Sequence, residues 1–291
     1  MHTIVKIAVF ALVGVGAAWA QDFERDGPRM PGDSGHESTE EQKAARETAI
    51  NQLEACDVLG VFAHPDDETF SSGTFALLSA KGQRVQLVYA TSGDAGGDKT
   101  DRELSGQALA DVREGEMRSG ARVMQLATEP LFLRYPDGLV YDHWNEVVES
   151  VQQIIKQTQP KIVVTFGPDG LYGHADHVAI GQITGRAFDD SEGPTHLLHT
   201  ALSRTRHTLV ANANPEIGER YKAVADRFIT YSVDVSAQLE QRVGAISAHK
   251  TQFEPEFVQQ FRMLAAITRV EDFVEVRHPG ETGLLSELFS K

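Results

Sequence analysis

A chain of 291 residues, of which 41% are hydrophobic and 24% charged, is long enough to bury a sizeable core and has the composition of a globular protein. Its formal net charge at pH 7 is −15, and lysine and arginine are scattered along the chain rather than grouped. Such a surface repels a phosphate backbone. The composition therefore argues against nucleic-acid binding and favours a substrate whose recognised part is neutral.

The first twenty residues have the pattern of a secretory signal peptide. Residues 1–6 carry one lysine, residues 7–16 are apolar, and residues 18–20 (Ala-Trp-Ala) have the small-x-small form of a cleavage site. The apolar run is shorter than the ~20 residues that cross a bilayer, so a membrane anchor is the less favoured interpretation. We expect a secreted or periplasmic mature chain that begins at Gln21 and has no stable membrane span.

Residues 21–56 are predicted to form a leader and an N-terminal helix, and residues 57–291 a single domain with a C-terminal extension. The leader is rich in Asp, Gly and Pro, whereas residues 37–53 are rich in Glu, Gln and Ala, which favour a helix. Cys56 is the only cysteine and cannot form an internal disulfide, so we expect a small core residue there. The tail beyond about residue 255 is expected to add core or to shape a substrate cleft.

Strands and helices alternate along the predicted domain. The predicted strands are 57–63, 84–90, 131–133, 161–166, 208–211 and 228–235. The predicted helices are 67–80, 105–126, 142–157, 176–188 and 236–249. Because several of these strands are almost continuously apolar, we predict an α/β fold with a mostly parallel sheet and helices on both faces.

Two short polar segments each follow a predicted strand. Residues 64–68 read His-Pro-Asp-Asp-Glu, and residues 173–177 read Gly-His-Ala-Asp-His after a loop that follows strand 161–166. Ligands of open parallel sheets bind beyond the carboxyl ends of the strands, beside the point where the strand order reverses. We therefore expect the two segments to converge although more than a hundred residues separate them.

Histidine and carboxylate side chains in these segments are those that a catalytic zinc requires. Such a site uses three protein ligands and leaves one position open, and His64, Asp67 and His177 supply three. Iron or cobalt would accept the same ligands. The alternatives are that the carboxylates only favour a helix N-terminus and that the histidines lie on the surface. The presence of both segments favours the metal site.

Three further residues in the same segments fit catalytic roles beside a metal. Asp66 is a spare carboxylate suited to act as a general base on water. His174, as an imidazolium, could stabilise an oxyanion or protonate a leaving amine. Asp176 could hold a neighbouring imidazole in the required tautomer.

The two segments resemble the signature of the LmbE-like zinc de-N-acetylases, a family that includes the de-N-acetylase of glycosylphosphatidylinositol biosynthesis and deacetylases of thiol biosynthesis. The resemblance covers approximately residues 57–252. It implies a Rossmann-like fold, one zinc ion per chain at the positions of the three ligands above, and the same roles for Asp66 and His174.

Weaker similarities lie outside the two segments. Residues 91–97 resemble the family's glycine-rich loop, Arg113 and Glu116 its Arg-x-x-Glu pair, and His249 the start of a late segment that borders the site. Arg113 and His249 are therefore candidate substrate contacts. The alternatives are an intrahelical ion pair for Arg113 and a favourable helix C-terminus for His249. Histidines without a motif are expected at the surface or in loops: His143, His196, His199, His207 and His278.

The resemblance implies hydrolysis of an N-acyl bond, and we expect an N-acetylglucosamine-type saccharide or glycoconjugate as the substrate. The predicted signal peptide argues against thiol biosynthesis, whose substrates are intracellular. A zinc amidase acting on a non-sugar amide and a metal-dependent saccharide-binding module are the alternatives. A pure binding module would need neither Asp66 nor His174. The sequence makes no prediction of the oligomeric state.

Overall fold

The structure, a computed structural model, describes residues 38–277 and 284–289. The predicted signal peptide, the leader and His278 lie outside the described residues. No helix in the described part of the chain is long and apolar enough to span a bilayer.

A seven-stranded sheet forms the centre of the fold, with strand order β3-β2-β1-β4-β5-β7-β6. Strands β1 to β5 are parallel, and β7 runs antiparallel to both β5 and β6. The strands are β1 (Val58–Phe62), β2 (Val85–Thr91), β3 (Leu131–Tyr135), β4 (Ile162–Phe166), β5 (His196–Ala201), β6 (Tyr231–Asp234) and β7 (Val270–Arg277). Every residue of β1, β2 and β4 is buried, which confirms the predicted α/β fold with a covered, mostly parallel sheet.

Two groups of helices pack among themselves around this sheet. One group contains α1, α4 and α6, and the other contains α2, α3 and α9. The helices are α1 (Glu40–Asn51), α2 (Ser72–Ala80), α3 (Gly106–Val123), α4 (Trp144–Thr158), α5 (Gly170–Gly173), α6 (Ala175–Asp189), α7 (Arg204–Ala213), α8 (Pro215–Arg220), α9 (Leu239–Ala248), α10 (Pro255–Thr268) and α11 (Leu284–Phe289). Short 3₁₀ turns occupy Asp67–Phe70, Asp226–Phe228 and Ser236–Gln238.

The strand order reverses between β1 and β4. From β1 the chain proceeds to β2 and β3 on one side, then crosses to β4 and β5 on the other. The crevice at such a switch point lies at the carboxyl ends of the two adjacent strands. Residues 64–68 follow β1 and residues 173–177 follow β4, so the topology brings the two predicted segments together.

One predicted strand is wrong and two strands were not predicted. Residues 208–211 belong to α7, whose first turn is capped because the Ser203 hydroxyl accepts a hydrogen bond from the Arg206 N–H. The apolar run there is short, and Leu209 is 40% exposed, so the residues do not form a buried strand. The strands not predicted are β5 and β7. In β5, polar His and Thr interrupt the apolar run.

Strand β7 shows that the C-terminal tail contributes to the sheet. It lies between β5 and β6, and its Phe273 is fully buried. His196 of β5 is buried and lies 2.6 Å from Glu275 of β7. The expectation of a surface or loop position is therefore wrong for His196, whereas His143 does lie in a loop, in the turn before α4, but is buried against Tyr135.

Glu271 joins β7 to two helices, α2 and α9. Its carboxylate accepts hydrogen bonds from the N–H groups of Gly73 (3.0 Å) and Thr74 (2.8 Å) at the start of α2. It also lies 3.1 Å from the guanidinium of Arg242 on α9. Both charged side chains are almost completely buried, and the carboxylate supplies the cap that α2 lacks from its own N-cap residue.

We expect Glu271→Ala to lower the free energy of unfolding by about 3–5 kcal/mol, because it leaves Arg242 buried without its counter-charge and two N–H groups without acceptors. Urea unfolding followed by circular dichroism measures the change. The matched control is Glu47→Ala on the exposed face of α1, expected to remain within about 0.5 kcal/mol of the parent. Equal stabilities of the two variants would contradict this role for Glu271.

Candidate active site

Asp67 is held by the backbone that precedes it. Its Oδ2 atom accepts hydrogen bonds from the N–H groups of Ala63 (3.1 Å) and His64 (2.8 Å). The other oxygen, Oδ1, lies 3.0 Å from Nε2 of His177. One carboxylate oxygen is thus used to orient the side chain, and the second faces the other segment.

His177 is fixed by its ring face and by one ring nitrogen. Its ring stacks on Phe166 with a centroid distance of 4.1 Å, and its Nδ1 lies 3.3 Å from the Gly170 carbonyl. A carbonyl only accepts, so Nδ1 carries the proton and Nε2 presents a lone pair. Gly170 has a φ of +56°, and a Cβ there would lie 2.9 Å from the His177 Cβ, which explains the glycine.

His64 presents its other nitrogen to the same point. Its Nε2 lies 2.9 Å from Asp137 Oδ1 and 3.2 Å from Asp176 Oδ2, so it is the protonated nitrogen of the neutral ring. Its Nδ1 lies 3.2 Å from Nε2 of His177. With His64 Nδ1 deprotonated, two imidazole nitrogens lie 3.2 Å apart beside the Asp67 carboxylate, an arrangement that suits a metal cation.

The spacing of these atoms suits a tetrahedral metal ion. Metal–ligand distances of about 2.0–2.1 Å place neighbouring tetrahedral ligands about 3.3–3.4 Å apart. The two imidazole nitrogens are 3.2 Å apart, Asp67 Oδ1 lies 3.0 Å from His177 Nε2, and Asp67 Oδ2 lies 3.6 Å from His64 Nδ1. The structure therefore brings the three predicted ligands together in a geometry that fits a metal.

Two other groups of side chains among the described residues also have ligand atoms close enough to share an ion. One is His64, His174 and His177, and the other is His64, Asp137 and Asp176. In the second group the carboxylates contact Nε2 of His64, and the Asp176 carboxylate also accepts hydrogen bonds from the N–H groups of Gly138 and Val140. These carboxylates orient a ligand from behind, as partners of metal-bound histidines do.

The field at this point attracts positive charge. Burial alone would lower the pKa of His64, but the carboxylates of Asp137, Asp176 and Asp67 outweigh burial and raise the pKa well above its usual value. Burial opposes ionisation of Asp67, yet His177 and His64 hold its pKa far below the usual range. The same field favours a metal cation.

Asp66 has a strained backbone. Its φ of +129° and ψ of −17° are rarely adopted by residues with a side chain. Its N–H donates to Glu68 Oε2 (3.1 Å), and its carbonyl accepts from the Thr69 hydroxyl (2.6 Å). Burial raises the pKa of Asp66 to about 7, against the opposing charge of Arg113. The surroundings thus hold a carboxylate of raised basicity next to the predicted metal ligands.

Glu68 anchors the loop that contains Asp66. It is fully buried and accepts hydrogen bonds from Asp66 N–H (3.1 Å) and the Tyr89 hydroxyl (3.0 Å). Its second oxygen lies 2.7 Å from Nε2 of His249, which is also fully buried. His249 therefore borders the site from behind Glu68, and a direct contact with substrate, which the sequence suggested, does not fit this position.

Arg113 also supports the loop. Its guanidinium donates to the carbonyls of Gly93 (3.0 Å) and Pro65 (2.9 Å) and lies 3.5 Å from Asp66 Oδ1. Gly93 belongs to the glycine-rich loop, and a Cβ there would overlap the guanidinium. Glu116 instead accepts from Thr251, so the alternative of an intrahelical ion pair does not describe Arg113.

His174 is the N-cap residue of α6, and its ring lies 4.9 Å from the rings of both His64 and His177. Its Nδ1 accepts a hydrogen bond from the Asp176 N–H (3.2 Å), so the proton of the neutral ring is on Nε2. Burial, together with the charges of His64 and His177, lowers the pKa of His174 to about 4. Both effects favour a neutral ring that can donate from Nε2, rather than an imidazolium.

Two residues near the predicted metal position were not predicted from the sequence. Asp137 contacts His64, and its position after β3, at the same edge of the sheet, was an available signal. Tyr172 has its hydroxyl 3.5 Å from His177 Nε2. A tyrosine in the sequence Gly-Leu-Tyr-Gly (residues 170–173) carries no pattern that indicates such a role.

Comparisons with known proteins agree with this site. A family model described as PIG-L, GlcNAc-PI de-N-acetylase, matches residues 59–188. The 1D-myo-inositol 2-acetamido-2-deoxy-alpha-D-glucopyranoside deacetylase of Saccharomonospora viridis is 30% identical, over 80% of this chain and 99% of that protein. The protein of the same description from Mycobacteroides abscessus is 31% identical, over 79% and 96% of the two chains.

Solved structures with the same fold include an N,N'-diacetylchitobiose deacetylase from Pyrococcus horikoshii. It has a TM-score of 0.58 and 21% identity, and covers 87% of this chain and all of that one. A 4-carboxy-2-hydroxymuconate hydratase from Pseudomonas putida is similar too, with a TM-score of 0.57 and 15% identity over 79% of this chain and 98% of that one. At these identities the likeness shows the fold alone.

The two relatives at 30% and 31% identity match over nearly their whole length, and the matched family region contains both segments that carry the predicted metal ligands. The chain therefore belongs to the PIG-L family of de-N-acetylases, the LmbE-like family that its motifs resemble, and is a deacetylase, a hydrolase of amide bonds.

Proposed function

We propose that this protein is an exported, zinc-dependent enzyme that removes the N-acetyl group from an N-acetylglucosamine-type sugar or glycoconjugate. One observation carries the catalytic part: two imidazole nitrogens meet the Asp67 carboxylate, Asp66 precedes Asp67 in the same loop, and the His174 ring lies 4.9 Å from that of His64. A binding module would need the metal ligands but not the strained backbone at Asp66.

The names of the relatives support the choice of substrate. The curated relatives are described as deacetylases of an inositol-linked 2-acetamido-2-deoxy-glucopyranoside, and one structural neighbour as a deacetylase of N,N'-diacetylchitobiose. The group common to these substrates is an acetamido sugar. The acidic surface of this chain suits such a neutral group.

His64, Asp67 and His177 would hold the zinc ion. When bound, the ion supplies Lewis acidity: it lowers the pKa of water and polarises the amide carbonyl. Asp66, whose pKa is about 7, accepts the proton that water loses as its oxygen adds to the acyl carbon. Cleavage of the C–N bond then releases acetate and the amine, and the nitrogen takes up that proton.

Two side chains are candidate hydrogen-bond donors to the acyl oxygen, on which negative charge develops. The neutral His174 ring can donate from Nε2, since its Nδ1 accepts from the Asp176 N–H. The Tyr172 hydroxyl lies beside His177 and is the second candidate donor. Donors held in place before the reaction stabilise an oxyanion without reorganising, which is the largest contribution in many acyl-transfer enzymes.

We expect His64→Ala, Asp67→Ala and His177→Ala to lose most of the bound zinc, because each removes one of three ligands. Zinc per chain, measured by plasma mass spectrometry after dialysis, is expected near one in the parent protein and in Asp111→Ala, an exposed control on α3.

Two more variants separate this ligand set from the other two groups. His174→Ala is expected to retain the ion, and Asp137→Asn to retain it with about 10–100-fold weaker affinity. Loss of zinc from His174→Ala with retention in Asp67→Ala would contradict the assignment. Retention of iron in preference to zinc would contradict the proposal that zinc is the bound metal.

Asp66→Asn is expected to keep the zinc and to lower kcat at least about 100-fold, because the amide cannot accept the proton from water. Free acetate is assayed with N-acetylglucosamine, N,N'-diacetylchitobiose and an inositol-linked N-acetylglucosamine. Asp111→Asn is the control and should match the parent. Full activity of Asp66→Asn would refute the base, and no acetate from any sugar would refute the proposed substrate class.

Export is proposed from the leader alone. When the full chain is expressed in a Gram-negative host, we expect it outside the cytoplasm with Gln21 as its first residue, since residues 18–20 fit signal peptidase. Cell fractionation and N-terminal sequencing measure this. Replacement of Ala18 and Ala20 by Leu should block cleavage. A cytoplasmic protein that retains residues 1–20 would refute export.

A further inference from the structure

The loop that carries Tyr172 has an unfavourable backbone. Gly170 and Gly173 have φ values of +56° and +85°, and between them Leu171 has a φ of +66° and a ψ of −40°. A bulky residue rarely adopts that conformation and keeps it only where surrounding structure holds it. Within the loop, the described hold on Leu171 is the Asp169 carboxylate, which accepts from its N–H (3.1 Å).

Three consecutive residues from a distant part of the chain contact this loop. The Lys222 N–H donates to the Leu171 carbonyl at 2.7 Å. The Arg220 guanidinium lies over the Tyr172 ring, 4.4 Å from its centroid. The Tyr221 ring meets the Tyr172 ring edge-on at 5.5 Å. We call residues 220–222 the strap.

Two further sets of contacts hold the strap in place. After Lys222, the Val224 N–H donates to the Leu202 carbonyl (2.9 Å), and the Val224 carbonyl accepts from Arg204 (2.8 Å), so the end of β5 is tied to the strap. On the other side, the Tyr221 ring packs against Phe70, which ends the turn that begins at Asp67, at 5.6 Å. The strap therefore links the segment that follows β5 to the turn that contains Asp67 and to the loop that precedes His174.

The position of the Tyr172 hydroxyl depends on these contacts. The ring lies 4.9 Å from His177 at an angle of 67°, and the hydroxyl is 3.5 Å from the ligand nitrogen Nε2. The Arg220 guanidinium lies over a face of the same ring, and the Tyr221 ring makes a T-shaped contact with it. A cation over an aromatic face is an attractive contact that gains strength where water is excluded.

We propose that the strap positions Tyr172 at the metal site and that Arg220 is a positioning residue acting through Tyr172. The two segments of the family signature follow β1 and β4, whereas the strap belongs to the part of the chain between β5 and β6. The effect on turnover rests on the proposed function. The placement of the tyrosine does not.

A double-mutant cycle tests the route of the effect. We expect Arg220→Ala to lower kcat for acetate release about tenfold, the scale of a partly buried cation–π contact, with KM and zinc content within about twofold of the parent. In a Tyr172→Phe background, Arg220→Ala should have no further effect. Arg220→Lys, which keeps the cation, should recover most of kcat.

The matched control is Arg227→Ala. Arg227 lies over the ring of Phe228, 4.6 Å from its centroid, in the same segment of the chain. This variant removes the same kind of contact away from Tyr172 and is expected to keep the parent kcat. Equal losses of kcat from Arg220→Ala in both Tyr172 backgrounds, or a loss in Arg227→Ala matching that of Arg220→Ala, would overturn the proposal.

A readout independent of activity uses the six tyrosines of the chain. In protein labelled with 3-fluorotyrosine, the Tyr172 ¹⁹F resonance is assigned by its absence from Tyr172→Phe. We expect Arg220→Ala to shift or broaden this resonance in both zinc-free and zinc-loaded protein, whereas Arg227→Ala leaves it in place. An unchanged resonance in Arg220→Ala would overturn the strap, whether or not acetate is released. Absence of acetate with a shifted resonance would overturn only the proposed function.

Discussion

The contact on which the site depends is the meeting of His64 Nδ1, His177 Nε2 and the Asp67 carboxylate. Each atom is presented because the remainder of its side chain is already bound: by backbone N–H groups for Asp67, by a carbonyl for His177 and by two carboxylates for His64. Lone pairs and negative charge thus converge, and the Tyr172 hydroxyl, 3.5 Å from His177 Nε2, is a protein donor beside them. A metal ion satisfies all three.

Around this point, charged side chains are buried in pairs or networks. Glu68 with His249 and Arg113 with two carbonyls enclose the strained residue Asp66. Removing one member of such a pair leaves an uncompensated buried charge, so the loop geometry is strongly determined. This explains how a residue with a φ of +129° persists next to the site, where burial raises the pKa of its carboxylate to about 7.

The fold alone does not establish the reaction. Structures of the same architecture include both a deacetylase and a hydratase. The reaction is argued from the ligands, the base and the oxyanion donors, and family membership from relatives matched along nearly their whole length. Strand β7 and the strap come from outside the matched family region, and the strap contacts Tyr172 beside the site.

The sequence by itself determined the parallel sheet, the two His-Asp segments and their meeting, because apolar strands and short motifs are local patterns and the carboxyl edge of a parallel sheet is shared. Tertiary structure alone decided the rest. Residues 208–211 joined a helix because its cap and exposure outweigh a short apolar run, and β7 inserted between two strands distant in sequence. Asp137, Tyr172 and the strap act through long-range contacts, which leave no periodic signal in the chain.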